Sequence, residues 1–286
     1  MAQVGGISLR DCGGHGPPLV VVPSLINPPD VLDLAPGNSL VGHLAAAGWH
    51  PYLVDWGAMP EPLGLEALAM TRLAPLIAAL GQTVPIIGHC LGGTLALAAA
   101  RSGNAGAVAV LAAPWRFAGY GAPARTALAD WWAGAQPIAR ALGAVPIDLL
   151  QPAFWSLDPA GLVGKFARLA DADAASLAVF ARLEDWANGG APLSLPAAAD
   201  LAALFADGAT GLGGAGLPDV PILDVVAAHD RIVPAAAAIT AVPAPATRLE
   251  IASGHVGMVV GRDAPRCLWA PLTRWLGAVA SRSESA

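Results

Sequence analysis

Lysine is almost missing from this chain: Lys165 is the only one. Charged residues of every kind make up 13% of the 286 residues, hydrophobic residues make up 55%, and the net charge is −6. Few cations are available to meet a phosphate backbone, so the chain is a poor candidate for nucleic-acid binding. High apolar content with low charge also excludes disorder as the main state of the chain. Cysteine is sparse as well. Cys12, Cys90 and Cys267 form an odd set without a Cys-x-x-Cys pair. That pattern argues against a disulfide framework and a zinc site, and it suits a reducing cytoplasm. No His/Asp/Glu cluster has metal-ligand spacing, so no metal is expected. Clean apolar runs are short. The most apolar stretch, Leu76 to Ala100, is interrupted by Gln82, Pro85, His89 and several glycines, and no run reaches the ~18–20 residues of a membrane span. Met1 to Arg10 has no basic segment leading into an apolar run, so no signal peptide is expected. Gly211 to Gly216 lacks a following Lys-Ser or Lys-Thr and is not a phosphate loop.

What is present is an alternation. Leu19–Val22, Pro51–Asp55, Val84–Gly88 and Ala107–Ala112 read as short buried strands. Helical patterns, Leu40–Ala47, Leu65–Leu80 and Gly92–Ala100, fall between them. Strands and helices at this spacing predict a parallel sheet covered on both faces. From about Trp115 to Leu217 no convincing strand is expected, only helical stretches rich in tryptophan, among them Trp131, Trp132, Trp155 and Trp186. These, with Phe154, Phe166 and Phe180, are read as core of that segment rather than as substrate wall. The strand rhythm resumes at Val220–Ala227, a last helix is expected over about Cys267–Val279, and residues 281–286 read as a frayed, disordered tail. The predicted organisation is a core formed by residues 1–114 and 218–280, with a helical cap, residues 115–217, inserted between its halves.

The chemistry gathers on Gly88-His89-Cys90-Leu91-Gly92-Gly93, which follows a strand and opens a helix. That is the context of a nucleophile elbow, in which a strained turn lifts the nucleophile above a sheet at a helix N-terminus. The flanking glycines are needed because side chains there would collide with the neighbouring strand and helix. An elbow requires an acid and then a histidine later in the chain. Asp230 follows the Val220–Ala227 strand, and His255 comes later between Gly254 and Gly257. The expected triad is Cys90, His255 and Asp230, with His255 taking the thiol proton and Asp230 orienting the imidazole. Asp224 lies inside the strand and is the weaker acid. His89 is expected to point away from the nucleophile and to pack; His229 could line the site, but a loop role fits better. The oxyanion hole should be formed by backbone N–H groups, one from Leu91 and one from Leu25 or Ile26, in the loop after Leu19–Val22. These features predict an α/β-hydrolase fold: a mostly parallel sheet with helices on both faces and an inserted helical cap.

The same residues resemble polyhydroxyalkanoate (PHA) synthases, especially the shorter kind that works with a second subunit (class III). The likeness runs over nearly the whole chain. It includes Leu25-Ile26-Asn27, Leu32-Asp33-Leu34, Asn38-Ser39-Leu40, the segment from Tyr52 to Gly57, the elbow through Thr94, and Ala113-Pro114. It continues through Leu183-Glu184-Asp185-Trp186, the segment from Asp230 to Pro234, and the segment from Gly254 to Gly257. The resemblance implies transfer of an (R)-3-hydroxyacyl group from coenzyme A to Cys90, then to the hydroxyl end of a growing polyester. It implies acyl-CoA as substrate and no cofactor. A second synthase subunit or a homodimer is the implied partner, and the implied place is the cytoplasm, at PHA granules. Two other readings use the same residues: a cysteine hydrolase acting as thioesterase, esterase or polyester depolymerase, and a non-catalytic granule-associated protein.

Overall fold

The structure is a computed structural model that describes residues 2–157, 164, 166, 169, 173–214 and 216–283. The principal strands are β1 (Gln3–Val4), β2 (Ile7–Asp11), β3 (Pro18–Val22), β4 (His50–Asp55), β5 (Val84–His89), β6 (Ala105–Leu111), β7 (Ile222–Ala227) and β8 (Thr247–Ile251). They form one eight-stranded sheet in the order β1-β2-β4-β3-β5-β6-β7-β8. The pairs from β4 to β8 are all parallel, whereas β2 joins β4 antiparallel and β1 joins β2 antiparallel. The two short antiparallel edge strands and β8 had no clear sequence pattern. β8 alternates weakly because Thr247, Arg248 and Glu250 are exposed, so it lacks the apolar run of a strand covered on both faces.

Side-chain alternation assigns the strand residues to two separate cores. Val20, Val22 and Ile86 pack on one face with α2 (Leu91–Ala100) and the helical run from Leu65 to Ala78. Leu19, Val21, Ile87, Leu223 and Val225 pack on the other with α1 (Leu40–Ala46) and α7 (Ala270–Ser283). The helix expected over Leu65–Leu80 contains a π-helical turn, Ala69–Leu73. α2 is buried along its whole length, which explains why it has an apolar run rather than an amphipathic stripe.

Between β6 and β7 the chain forms α3 (Gly121–Leu142), α4 (Ile147–Leu157), α5 (Ala174–Asn188) and α6 (Leu195–Asp207). The segment also contains a two-residue antiparallel pair, Ala144–Val145 with Leu193–Ser194. So short a pairing is held by tertiary contact and leaves no periodicity to detect. The disordered tail expected at 281–286 is corrected in part, because α7 continues to Ser283. Residues 284–286 lie outside the described residues, as do Lys165 and the side chains of Phe154 and Trp155. Phe166, expected in a core, is 52% exposed; its ring meets that of Phe180 edge-on, with centroids 5.6 Å apart.

Candidate active site

Three loops leave the C-terminal ends of β5, β7 and β8, the end of a parallel sheet at which ligands bind. The first is the elbow. Cys90 has φ 53° and ψ −132°, outside the regions that L-residues prefer. Its N–H donates to the Leu111 carbonyl at 2.9 Å, and its carbonyl accepts from Gly93 N–H at 2.9 Å. The glycine requirement is steric. A Cβ on Gly88 would sit 2.4 Å from Gly93 Cα, and one on Gly92 would sit 2.1 Å from the Pro23 carbonyl oxygen. Ala112, which follows the neighbouring strand β6, is the other non-glycine residue with positive φ among the described residues. Backbone strain is therefore concentrated at this end of the sheet.

Asp230 and His255 meet on the two neighbouring loops. His255 Nδ1 lies 2.6 Å from Asp230 Oδ2, and the two side chains are 6% and 0% exposed. Asp230 Oδ1 accepts the backbone N–H groups of Ile232 at 2.8 Å and Val233 at 2.9 Å. The carboxylate is thus held from both sides, with one oxygen free to orient the imidazole. Burial pulls the His255 pKa down, but the charges of Asp230 and Cys90, and hydrogen bonds to both, outweigh it and raise the pKa to about 10. Cys90 is partly exposed. Asp224 takes no part: its carboxylate accepts the N–H of Thr240 at 2.8 Å and the Thr240 hydroxyl at 2.6 Å.

His89 packs, as expected. It is 1% exposed, and its ring lies 5.3 Å from the His255 ring, at an interplanar angle of 39°. Both of its nitrogens are buried without a hydrogen-bond partner. Burial, then the neighbouring His255, depress its pKa to about 3, so it forms a neutral wall behind His255. His229 is exposed, and its N–H donates to the Ser253 carbonyl at 3.0 Å.

Leu91 begins α2, so its N–H has no acceptor within the helix. Of the two candidates in the loop after β3, Ile26 donates its N–H to Ser24 Oγ at 3.3 Å. This loop is fixed by α5 in a way the sequence did not disclose. Asn27 Nδ2 donates to the carbonyl of Ala187 at 3.3 Å, and Trp186 Nε1 donates to the carbonyl of Pro28 at 2.8 Å. The Leu25-Ile26-Asn27 and Leu183-Glu184-Asp185-Trp186 segments are far apart in the chain but hold each other in space.

An apolar cavity opens onto Cys90 and Leu91. Its floor includes Ile26, Ile232 and Val233, and its roof comes from α3, α4 and α6, including Trp131, Leu150 and Phe205. Trp131 and Trp132 pack against the core, as expected, and Trp131 also lines this cavity. Tyr120, which no sequence pattern singled out, lines the same cavity.

The family model described as "Alpha/beta hydrolase family" matches residues 20–266. The chain belongs to this family. As an α/β hydrolase it is similar to the poly(3-hydroxyalkanoate) polymerase subunit PhaC of Haloarcula marismortui, at 25% identity over 99% of this chain and 65% of that one. It is also similar to PhaC of Haloferax mediterranei, at 27% identity over 94% of this chain and 59% of that one. For PhaC of Thiocystis violacea the identity is 27%, over 91% of this chain and 80% of the relative. The α/β hydrolase described here thus spans about three-fifths to two-thirds of the length of the first two relatives. Among solved structures it matches a hydrolase from Pseudomonas aeruginosa PA01 with TM-score 0.59 and 20% identity, over 95% of this chain and 94% of that one. It matches the monoacylglycerol lipase of Paleococcus ferrophilus with TM-score 0.58 and 15% identity, over 95% and 99%. At these identities the two structures share the fold alone. No helix among the described residues is long and apolar enough to cross a membrane.

Proposed function

We propose that this α/β hydrolase is an acyltransferase of the PHA-synthase kind, with Cys90 as nucleophile, His255 as general base and acid, and Asp230 as the group that orients His255. The observation that carries this reading is a cysteine, rather than an oxygen nucleophile, at the strained elbow beside the buried His255–Asp230 pair. His255 is bound to Asp230 through Nδ1, which leaves Nε2 to take the Cys90 proton. The sulfur attacks the carbonyl carbon of an acyl-CoA thioester, and the resulting oxyanion is met by the N–H groups of Leu91 and Leu25. Ile26 is the less available donor because Ser24 already engages it. The bond from carbonyl carbon to CoA sulfur breaks, and the departing thiolate takes the proton from His255. Free CoA leaves, and the acyl group stays on Cys90. In the second half an acceptor hydroxyl gives its proton to His255 and attacks the acyl carbon. The bond to Cys90 sulfur breaks, and the thiolate is reprotonated. A thiol suits this role because thioester-to-thioester exchange keeps the acyl group activated for the next transfer.

The apolar cavity at Cys90 would take the acyl chain, with the helices from β6 to β7 serving as the cap. The similarity to PhaC subunits over most of the chain supports a hydroxyacyl donor and a polyester hydroxyl acceptor. Incubation with 3-hydroxybutyryl-CoA, with and without a candidate second subunit, tests the reading. The expected products are free CoA and ester-linked oligomers. Release of CoA with only the free hydroxy acid would convert the assignment to a cysteine hydrolase. Failure to release CoA, with Cys90 unreactive to a thiol probe that labels Cys12 and Cys267, would leave a non-catalytic protein.

A further inference from the structure

The cavity over Cys90 is lined almost wholly by carbon. Apart from Cys90, the side chains in its wall with hydrogen-bonding atoms are Tyr120 and Trp131. The Tyr120 hydroxyl has no hydrogen-bond partner among the described residues, although the tyrosine is only partly exposed. A phenol left unpartnered in an apolar wall loses hydrogen bonding unless a ligand supplies it.

The ring of Tyr120 is fixed in place. Its centroid lies 4.7 Å from that of Phe205, edge-on at 72°, and 6.3 Å from that of Phe117, nearly parallel at 20°. Its backbone turn is fastened to the loop that carries the acid. The N–H groups of Trp115 and Arg116 both donate to the Ala237 carbonyl at 2.9 Å. Gly119 lies so close to the Ala236 carbonyl that a Cβ there would fall 2.1 Å from the oxygen. The hydroxyl is thus presented by the same framework that positions Asp230. Burial, then the charges of Cys90 and Asp230, push the Tyr120 pKa well above its ordinary value, so the hydroxyl keeps its proton and can both donate and accept. Trp131 offers a donor only. It also rides on α3, whose buried residues are just Ala135 and Ala139.

We infer that Tyr120 is a specificity-determining residue whose hydroxyl binds a hydroxyl on the acyl chain of the substrate, selecting hydroxyacyl over unsubstituted acyl thioesters. This deepens the acyl-transfer reading and rests on it. A hydroxyl entering this cavity finds one rigid partner able to donate and accept; beyond it, Cys90 and the Trp131 N–H, the wall is apolar. An acyl chain without that hydroxyl leaves the phenol unpartnered, which is how a polar group in an apolar pocket discriminates.

The test is the acylation of Cys90, followed by mass spectrometry, with 3-hydroxybutyryl-CoA and butyryl-CoA as parallel donors for the wild type and Tyr120→Phe. Removing a hydroxyl without a protein partner strands no other group, so the variant keeps its fold. The expected result is a wild-type preference for the hydroxyacyl donor in kcat/KM that falls about tenfold in Tyr120→Phe, chiefly through KM for that donor. An equal loss for both donors would assign Tyr120 to packing or to the reacting carbonyl and overturn the inference. So would an unchanged preference. Wild-type protein that is acylated by neither donor would overturn the acyl-transfer reading itself, and the inference with it.

Discussion

The sheet and the helices between β6 and β7 are built on different terms. In the sheet, consecutive strand residues alternate between two buried cores, and strands β5, β6 and β7 are buried almost throughout. Every group proposed for the chemistry is tied to it by the backbone. In the helices over the cavity, the 22-residue α3 buries only Ala135 and Ala139, and Ile138 and Leu142 are 54% and 61% exposed. Trp131 and Trp132 pack against the core only in part, and Trp131 and Leu128 line the cavity. The difference teaches that the proposed chemistry and the shape of the cavity rest on separate parts of the fold: the end of the sheet aligns Cys90, Asp230 and His255, and a less deeply packed roof shapes the space above them.

The comparison can be broken most directly at Asp230. Asp230→Asn is expected to lower kcat by about a hundred- to ten-thousandfold, because the carboxylate that fixes the imidazole tautomer is lost. The same change alters the pH dependence of stability. The His255 pKa is raised from 6.5 to about 10 in the folded protein. The stability contributed by the pair is therefore fully present below about pH 6.5 and is lost as pH rises through about 10. Urea unfolding across this window should show that decline in the wild type and little of it in Asp230→Asn. A variant with near-normal kcat would sink the assignment of Asp230.

The next effect is on the framework. Gly92→Ala places a Cβ 2.1 Å from the Pro23 carbonyl oxygen, which should destabilise the protein by about 3 kcal/mol. The urea midpoint reads it; a midpoint within error of the wild type would mean that the elbow yields more easily than its geometry implies. The smallest effect belongs to the roof. Trp131→Ala should raise KM for acyl thioesters several-fold and lower stability by about 1 kcal/mol, as for a partly buried side chain at the margin of the core. A large loss of stability instead would make the roof part of the folding core and erase the contrast.

Much of the reactive set was legible because it is local. Gly88 to Gly93 is a contiguous signature, and the order Cys90, Asp230, His255 follows the order of the strands that carry them. Legibility failed where a role depends on approach through space. His89 was expected to pack, but that its ring packs on His255 is a relation fixed by the crossing of two loops. That Trp131 lines a cavity as well as packing on the core was not legible, because helical spacing does not reveal whether the space a side chain faces is filled. Asn27 and Trp186 could be singled out as segments of a resemblance, but not as partners of each other. The edge strands Gln3–Val4 and Ile7–Asp11 were missed because they are short and pair where only part of each is buried.

The sequence by itself determined the alternating α/β framework, the strained turn and the cysteine that stands in it. Strand periodicity, glycine placement and the chemistry of a thiol are properties of residues and their near neighbours. Only the tertiary structure decided which carboxylate reaches His255. Asp224 is spent on Thr240, whereas Asp230 arrives 2.6 Å from Nδ1 because β7 and β8 run side by side. It also decided that Tyr120 faces the cavity at Cys90, since that position depends on the meeting of three separate loops and helices.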